Sequence, residues 1–116
     1  MKPESDNLFL KLTLEFALGI IEYCELLETH RKFIISQQLL KAGTSIGANV
    51  REAQNAESKA DFIHKMKIAA KEAGETEYWL LLCKLSKNYP KNEILLEKLE
   101  VIKSILGKII FTSKTK

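Results

Sequence analysis

The chain has 116 residues, 46% apolar and 28% charged, with only five Gly, two Pro and two Cys. That length makes one domain on a scale of about 100–200 residues per domain, and so few breakers leave little room for the turns of an all-β fold. Collagen-like, disordered and disulfide-stapled classes are excluded by the same counts. The net charge of +3 is too small by itself to announce a nucleic-acid partner. Its distribution says more: residues 1–30 hold two Lys against six Asp or Glu, a balance of −4, which leaves +7 on residues 31–116.

The first helix is predicted over residues 7–29, with Ser5, Asp6 and Asn7 offering capping oxygens ahead of it. Lys11, Glu15, Leu18, Glu22, Glu25 and Thr29 follow at spacings of three or four and form one narrow, mainly polar stripe. Nearly everything else is apolar. Leu8, Phe9, Leu12, Phe16, Ile20, Tyr23 and Leu27 make one line, and Leu10, Leu14, Ala17, Ile21 and Cys24 a second. A helix on the outside of a bundle needs one apolar stripe of about 100°, so this width predicts a second burial surface. The interrupting charges also argue against a membrane span. The start Met-Lys-Pro-Glu-Ser-Asp lacks the pattern of a signal peptide, so a cytoplasmic protein is expected.

A second helix is predicted over residues 34–56. Its inward line is Ile35, Leu39, Ala42, Ile46, Asn49 and Ala53, and beside it Leu40, Gly43, Gly47 and Val50 form a groove that another helix could enter. Each of these glycines costs about 1 kcal/mol in a helix interior, but a loop here would strand the pattern on both sides of it. The third helix, over 59–87, opens on Ser58-Lys-Ala-Asp61, a capping-box-like start. Phe62, Met66, Ala69, Ala73, Thr76, Leu80 and Cys83 keep one face until Pro90 interrupts. Asn92 then caps a fourth helix over 93–111, with Leu95, Leu99, Ile102, Leu106 and Ile109 inward and a polar tail over 112–116. Four helices with short connections make residues 1–116 a single all-α domain, an antiparallel up-down-up-down four-helix bundle.

Chemistry is sparse. A di-metal site in such a bundle needs Glu-x-x-His on two helices, and the chain has only Asp61-x-x-His64 and a His30 at a predicted turn, so neither metal nor cofactor is expected. Glu72 and Glu75 share a face with acid-base potential. With Asn49 and Glu52 they fit a structural role better, the carboxylates satisfying a buried Asn49 and fixing helix register. Cys24 and Cys83 lie far apart in apolar runs and read as buried free thiols. Tyr78 and Trp79 stand about 100° apart, so one belongs at a rim or a subunit surface, base stacking being the functional alternative. Lys41, Arg51, Lys59, Lys65, Lys67 and Lys71 form a basic run. Such a run is ordinarily a solvated face, but repeated around an oligomer it would make phosphate contacts cooperative.

The stretches Gly43-Thr-Ser-Ile-Gly-Ala-Asn-Val-Arg-Glu-Ala53, Ala56-Glu-Ser-Lys-Ala-Asp-Phe-Ile-His-Lys-Met66 and Ala69-Ala-Lys-Glu-Ala-Gly-Glu-Thr-Glu-Tyr-Trp-Leu80 resemble the four-helix bundle family encoded in intervening sequences of bacterial 23S ribosomal RNA. That family is similar to the accessory variability protein of diversity-generating retroelements. The resemblance implies a homopentamer without enzymatic activity and, in the retroelement branch, a basic barrel that binds nucleic acid and a reverse transcriptase. Its motif carries over onto Ser45, Gly47, Ala48, Asn49, Glu52, Glu72, Glu75 and Trp79 as positions of bundle and subunit packing. The expectation is a non-enzymatic oligomeric scaffold that binds RNA or DNA through Lys41, Arg51, Lys59, Lys65, Lys67 and Lys71. The alternative is a protein-interaction module of the same fold that touches no nucleic acid. Neither involves a membrane.

Overall fold

Apolar residues recurring every three or four positions build four helices, α1 (Glu4–Thr29), α2 (Phe33–Ala53), α3 (Lys59–Leu85) and α4 (Ile94–Lys114). The computed structural model describes residues 4–115, with side chains from Leu8 onward. Each helix packs on the next and α4 returns to α1, most lightly of the four seams, closing a bundle of 47 × 21 × 21 Å. Helices α1 and α3 are therefore diagonal. The core follows most of the predicted lines: Phe16, Ile20 and Leu27 meet Leu39 and Ile46, Met66, Ala73 and Leu80, and Leu99, Ile102 and Leu106. Leu8, at the start of its line, is exposed, Leu12, Ile35, Phe62 and Ile109 are half-buried, and Thr13 and Ser36 are buried beside them.

The second helix is continuous through both glycines, and the reason is steric. A Cβ on Gly43 would lie 2.8 Å from Ile20 Cγ1, and one on Gly47 would lie 3.3 Å from Thr13 Oγ1. The groove expected to receive another helix is thus occupied in part by α1 of the same chain, and Gly43 and Val50 are core. One bundle end is clamped beside this approach. The single Ser36 Oγ proton is shared between Cys24 O and Glu28 Oε2, both at 3.2 Å, and Cys24 Sγ donates to Ser36 O at 3.4 Å.

Helix ends depart from expectation for local reasons. Helix α1 already includes residues 5–7, so the capping role given to Ser5, Asp6 and Asn7 falls inside the helix and on side chains outside those described, as do Pro3 and Lys116. Helix α2 stops at Ala53 rather than 56, because the N–H groups of Gln54, Asn55 and Ala56 turn back three residues to Arg51, Glu52 and Ala53. Ser58 caps α3 as expected, accepting from Asp61 N at 3.0 Å. That helix ends at Leu85 rather than 87. Ser86 is extended there, and the Lys91 ammonium caps the carbonyls of Cys83 and Lys84 at 2.9 Å and that of Ser86. Asn92 Oδ1 accepts from Leu95 N at 3.2 Å at the start of α4. The polar tail is helical to Lys114, since Thr112 and Ser113 are not breakers.

The turn after α1 closes with Lys32 N donating to Leu27 O at 2.8 Å and Arg31 N to Glu28 O at 2.9 Å. This paired bond pattern places its pivot in the left-handed region and ordinarily uses Gly there. Here the pivot is Arg31, at φ 65°.

The glycines make opposite predictions. Gly43→Ala should lower unfolding free energy by about 1–2 kcal/mol, since overpacking at buried Ile20 outweighs the roughly 1 kcal/mol helix preference for Ala. Gly74, where a Cβ meets nothing within 4 Å, should gain about 0.5–1 kcal/mol as Ala. Urea denaturation checks both, and shifts of equal sign would contradict the packing described.

Candidate nucleic-acid interface and self-association face

The six predicted basic residues do not form one patch. Lys41 and Arg51 are exposed on α2, ten residues or about 15 Å apart at 1.5 Å per residue. Lys59 opens α3. Lys65 is half-buried and paired with Glu52 at 3.1 Å across the α2–α3 seam, so it is a structural ion pair rather than an outward phosphate contact. Lys67 and Lys71 lie one turn apart on the exposed face of α3. The fold adds Lys114, whose ammonium close beside Lys67 pushes the latter's pKa below the ordinary lysine value. Among the described residues neither Lys67 nor Lys71 pairs with an acid. Lys114 was missed because its segment was read as a tail.

The polar group expected around Asn49 is also different. Asn49 is half-buried, and its Nδ2 donates to Ser45 O at 2.8 Å, while Ser45 Oγ donates to Lys41 O at 2.7 Å. A half-exposed amide finds its acceptor on its own helix and has no need of a carboxylate. Glu75 instead accepts from Trp79 Nε1 at 3.3 Å, and the Glu72 carbonyl accepts from buried Thr76 at 2.7 Å. The carboxylate that reaches across to α3 is Glu52, paired with Lys65. Tyr78 is exposed and Trp79 half-buried, their rings edge to face at 5.5 Å.

Along α1 the second apolar line is covered unevenly: Cys24 is buried, Leu10 and Ala17 are half-buried, and Leu14 and Ile21 are exposed, as is Leu18 from the mainly polar stripe. Leu14 and Ala17 line a shallow groove of about 220 Å³ together with Thr13, Thr44, Arg51 and the motif positions Gly47 and Ala48.

Among the described residues no cluster of three or more His, Cys, Asp or Glu is placed to hold a metal ion. Cys24 and Cys83 are free and buried. Burial pushes the Cys24 thiol up to about 11, against a smaller opposing effect of its hydrogen bond with Ser36. Burial likewise raises Tyr23, whose hydroxyl donates to Pro90 O at 2.6 Å and ties α1 to the α3–α4 loop, and Cys83.

Residues 5–108 match the family described as the 23S rRNA-intervening sequence protein. The chain belongs to that family. A solved protein of unknown function from the S23 ribosomal protein family of Bacteroides thetaiotaomicron is 43% identical, with a TM-score of 0.83 over 88% of this chain and 97% of that one. No curated protein matches. Family membership thus agrees with the resemblance carried by residues 43–80, and the bundle seen here agrees with the fold of that relative. No helix among the described residues is long and apolar enough to cross a membrane.

The thiols set a pH dependence for this family member. Folded pKa values lie above the unfolded ones, so the stability gained by keeping Cys24, Cys83 and Tyr23 neutral is whole below about pH 9 and is lost as pH rises toward 11. The urea midpoint should fall over that interval, and less steeply in Cys24→Ala. A midpoint unchanged between pH 8 and 11 would contradict the burial of these groups.

Proposed function

We propose that the chain is a non-enzymatic, self-associating scaffold that binds RNA or DNA through the outward cations of α3 and α4. The observation that carries this reading is the placement of Lys67 and Lys71 one turn apart on the exposed face of α3, neither of them in an ion pair among the described residues, with Lys114 on neighbouring α4 near enough to lower the Lys67 pKa. Like charges so placed repel one another, and an anion with distributed charge, such as a phosphate backbone, relieves the repulsion. Self-association is supported by the uncovered line of Leu14, Leu18 and Ile21 beside the small-residue groove. Apolar surface of this kind on one helix is what a second subunit covers. The homopentamer implied by the family resemblance would multiply the formal +3 per chain to about +15 and bring several such cation groups onto one assembly.

Affinity for a duplex RNA and a duplex DNA should fall steeply with salt, with a log–log slope near −0.9 per phosphate neutralised. The double reversal Lys67→Glu, Lys71→Glu should cost at least tenfold at about 50 mM salt and flatten that slope. Absence of binding by the native chain at low salt would overturn the reading. Binding indifferent to the reversal would move it off α3, and partner capture that persists after nuclease treatment would favour a protein-interaction module.

A further inference from the structure

The bundle end formed by the α1–α2 turn and the α3–α4 loop carries a feature that local folding rules do not explain. The closing pattern after α1 favours glycine at its pivot and an apolar residue next to it, and the chain places Arg31 and Lys32 there, with Arg31 in a left-handed backbone that disfavours a side chain. Phe33 and Ile34 follow, 52% and 81% exposed. The cations suit the C-terminal end of the α1 dipole, but a side chain held in a left-handed backbone is strained, and such strain concentrates at functional sites.

These residues line a cleft of about 250 Å³ together with Tyr89, over whose ring the Lys32 ammonium sits at 4.7 Å. Among the described residues neither Arg31 nor Lys32 is in an ion pair, although the Glu28 carboxylate lies one turn before them and takes a hydrogen bond from Ser36. Aromatic and aliphatic faces interleaved with cations are the chemistry of a stacked base with its flanking phosphates. The cleft is smaller than the roughly 300 Å³ at which pockets begin to enclose larger ligands, so it suits one flipped or unpaired base. An acidic peptide would use the cations and leave Phe33 bare.

We infer that this bundle end holds an unpaired nucleotide of the bound strand, its base against Phe33 and its phosphates at Arg31 and Lys32. The inference rests on the nucleic-acid reading above and adds a single-strand preference to it. Lys71 and Lys67 lie 14 and 18 residues before the end of α3, about 21 and 27 Å from this bundle end at 1.5 Å per residue. A strand stacked at about 3.4 Å per nucleotide covers that distance in roughly 6–8 nucleotides.

Fluorescence anisotropy with a labelled, unstructured 16-nucleotide RNA and a 16-base-pair duplex RNA tests this on the full chain. The single strand should bind more tightly than the duplex. Phe33→Ala should weaken the single strand at least fivefold and the duplex less than twofold. Arg31→Gly should weaken the single strand while raising the midpoint of thermal unfolding, because it relieves the strained pivot; this separates lost binding from lost folding. If Phe33→Ala binds the single strand as the native chain does while Lys67→Glu, Lys71→Glu abolishes binding, the cleft assignment fails and the nucleic-acid reading stands. If the native chain binds neither RNA, both fail. If Phe33→Ala leaves RNA binding intact and instead abolishes cosedimentation with anionic phosphatidylserine vesicles, the end is a membrane contact and the inference is overturned.

Discussion

The contact on which the rest of the bundle depends is Ile20 seated against the bare backbone of Gly43. Two helices carrying ordinary side chains at their crossing stand about 8–10 Å apart, and a missing Cβ at the crossing lets them come closer. Because Ile20 fills the place of a Gly43 side chain, Thr13 meets Gly47 one turn along, and Ser36 reaches Cys24 and Glu28 farther down the same seam. The approach sets the rotation of α1. With Phe16, Ile20 and Leu27 turned into the core, Leu14, Leu18 and Ile21 have no place inside and line the outside of the seam.

The same rotation organises charge. Helices α1 and α3 are diagonal, so the exposed Glu15, Glu22 and Glu25 lie across the bundle from Lys67 and Lys71. The carboxylates of α1 and these two lysines thus stand on opposite sides of the bundle, while other cations of residues 31–116 are carried on α2 and α4, the helices that flank α1. The ion pairs among the described residues, Glu52 with Lys65, Glu77 with Lys103 at 2.9 Å and Lys84 with Glu93, join neighbouring helices or their ends. The cations of the outer α3 face are thereby left to solvent or to a ligand.

The periodicity of apolar residues carried the fold because each helix buries one stripe, and a period of 3.6 survives in sequence whatever the partner. Met66, Ala69, Ala73, Thr76, Leu80 and Cys83 are buried as their spacing requires, and the continuity of α2 through two glycines was legible for the same reason. What the spacing lacked was the identity of the neighbour. The groove at Gly43 and Gly47 could be read, but not that α1 of the same chain fills part of it. Asn49 falls on an apolar line yet sits at the seam, where its amide is satisfied by Ser45 of its own helix. Lys65 looked like a member of a basic run until Glu52 was brought opposite it by the α2–α3 register. Arg31 was invisible for a different reason, since a strained φ is set by the turn that closes around a residue and leaves no trace in composition.

The central proposal is that α1 has two burial surfaces, one met inside its own chain and a second that another copy covers. Sedimentation equilibrium of the native chain and of Leu14→Asp, Leu18→Asp tests it directly. The account requires a native mass that is a multiple of 13.2 kDa, near 66 kDa for five copies by simple multiplication of chain mass in a closed ring. The double variant should fall toward the single-chain mass while keeping its helical content. A native protein that stays at 13.2 kDa at every concentration would contradict it.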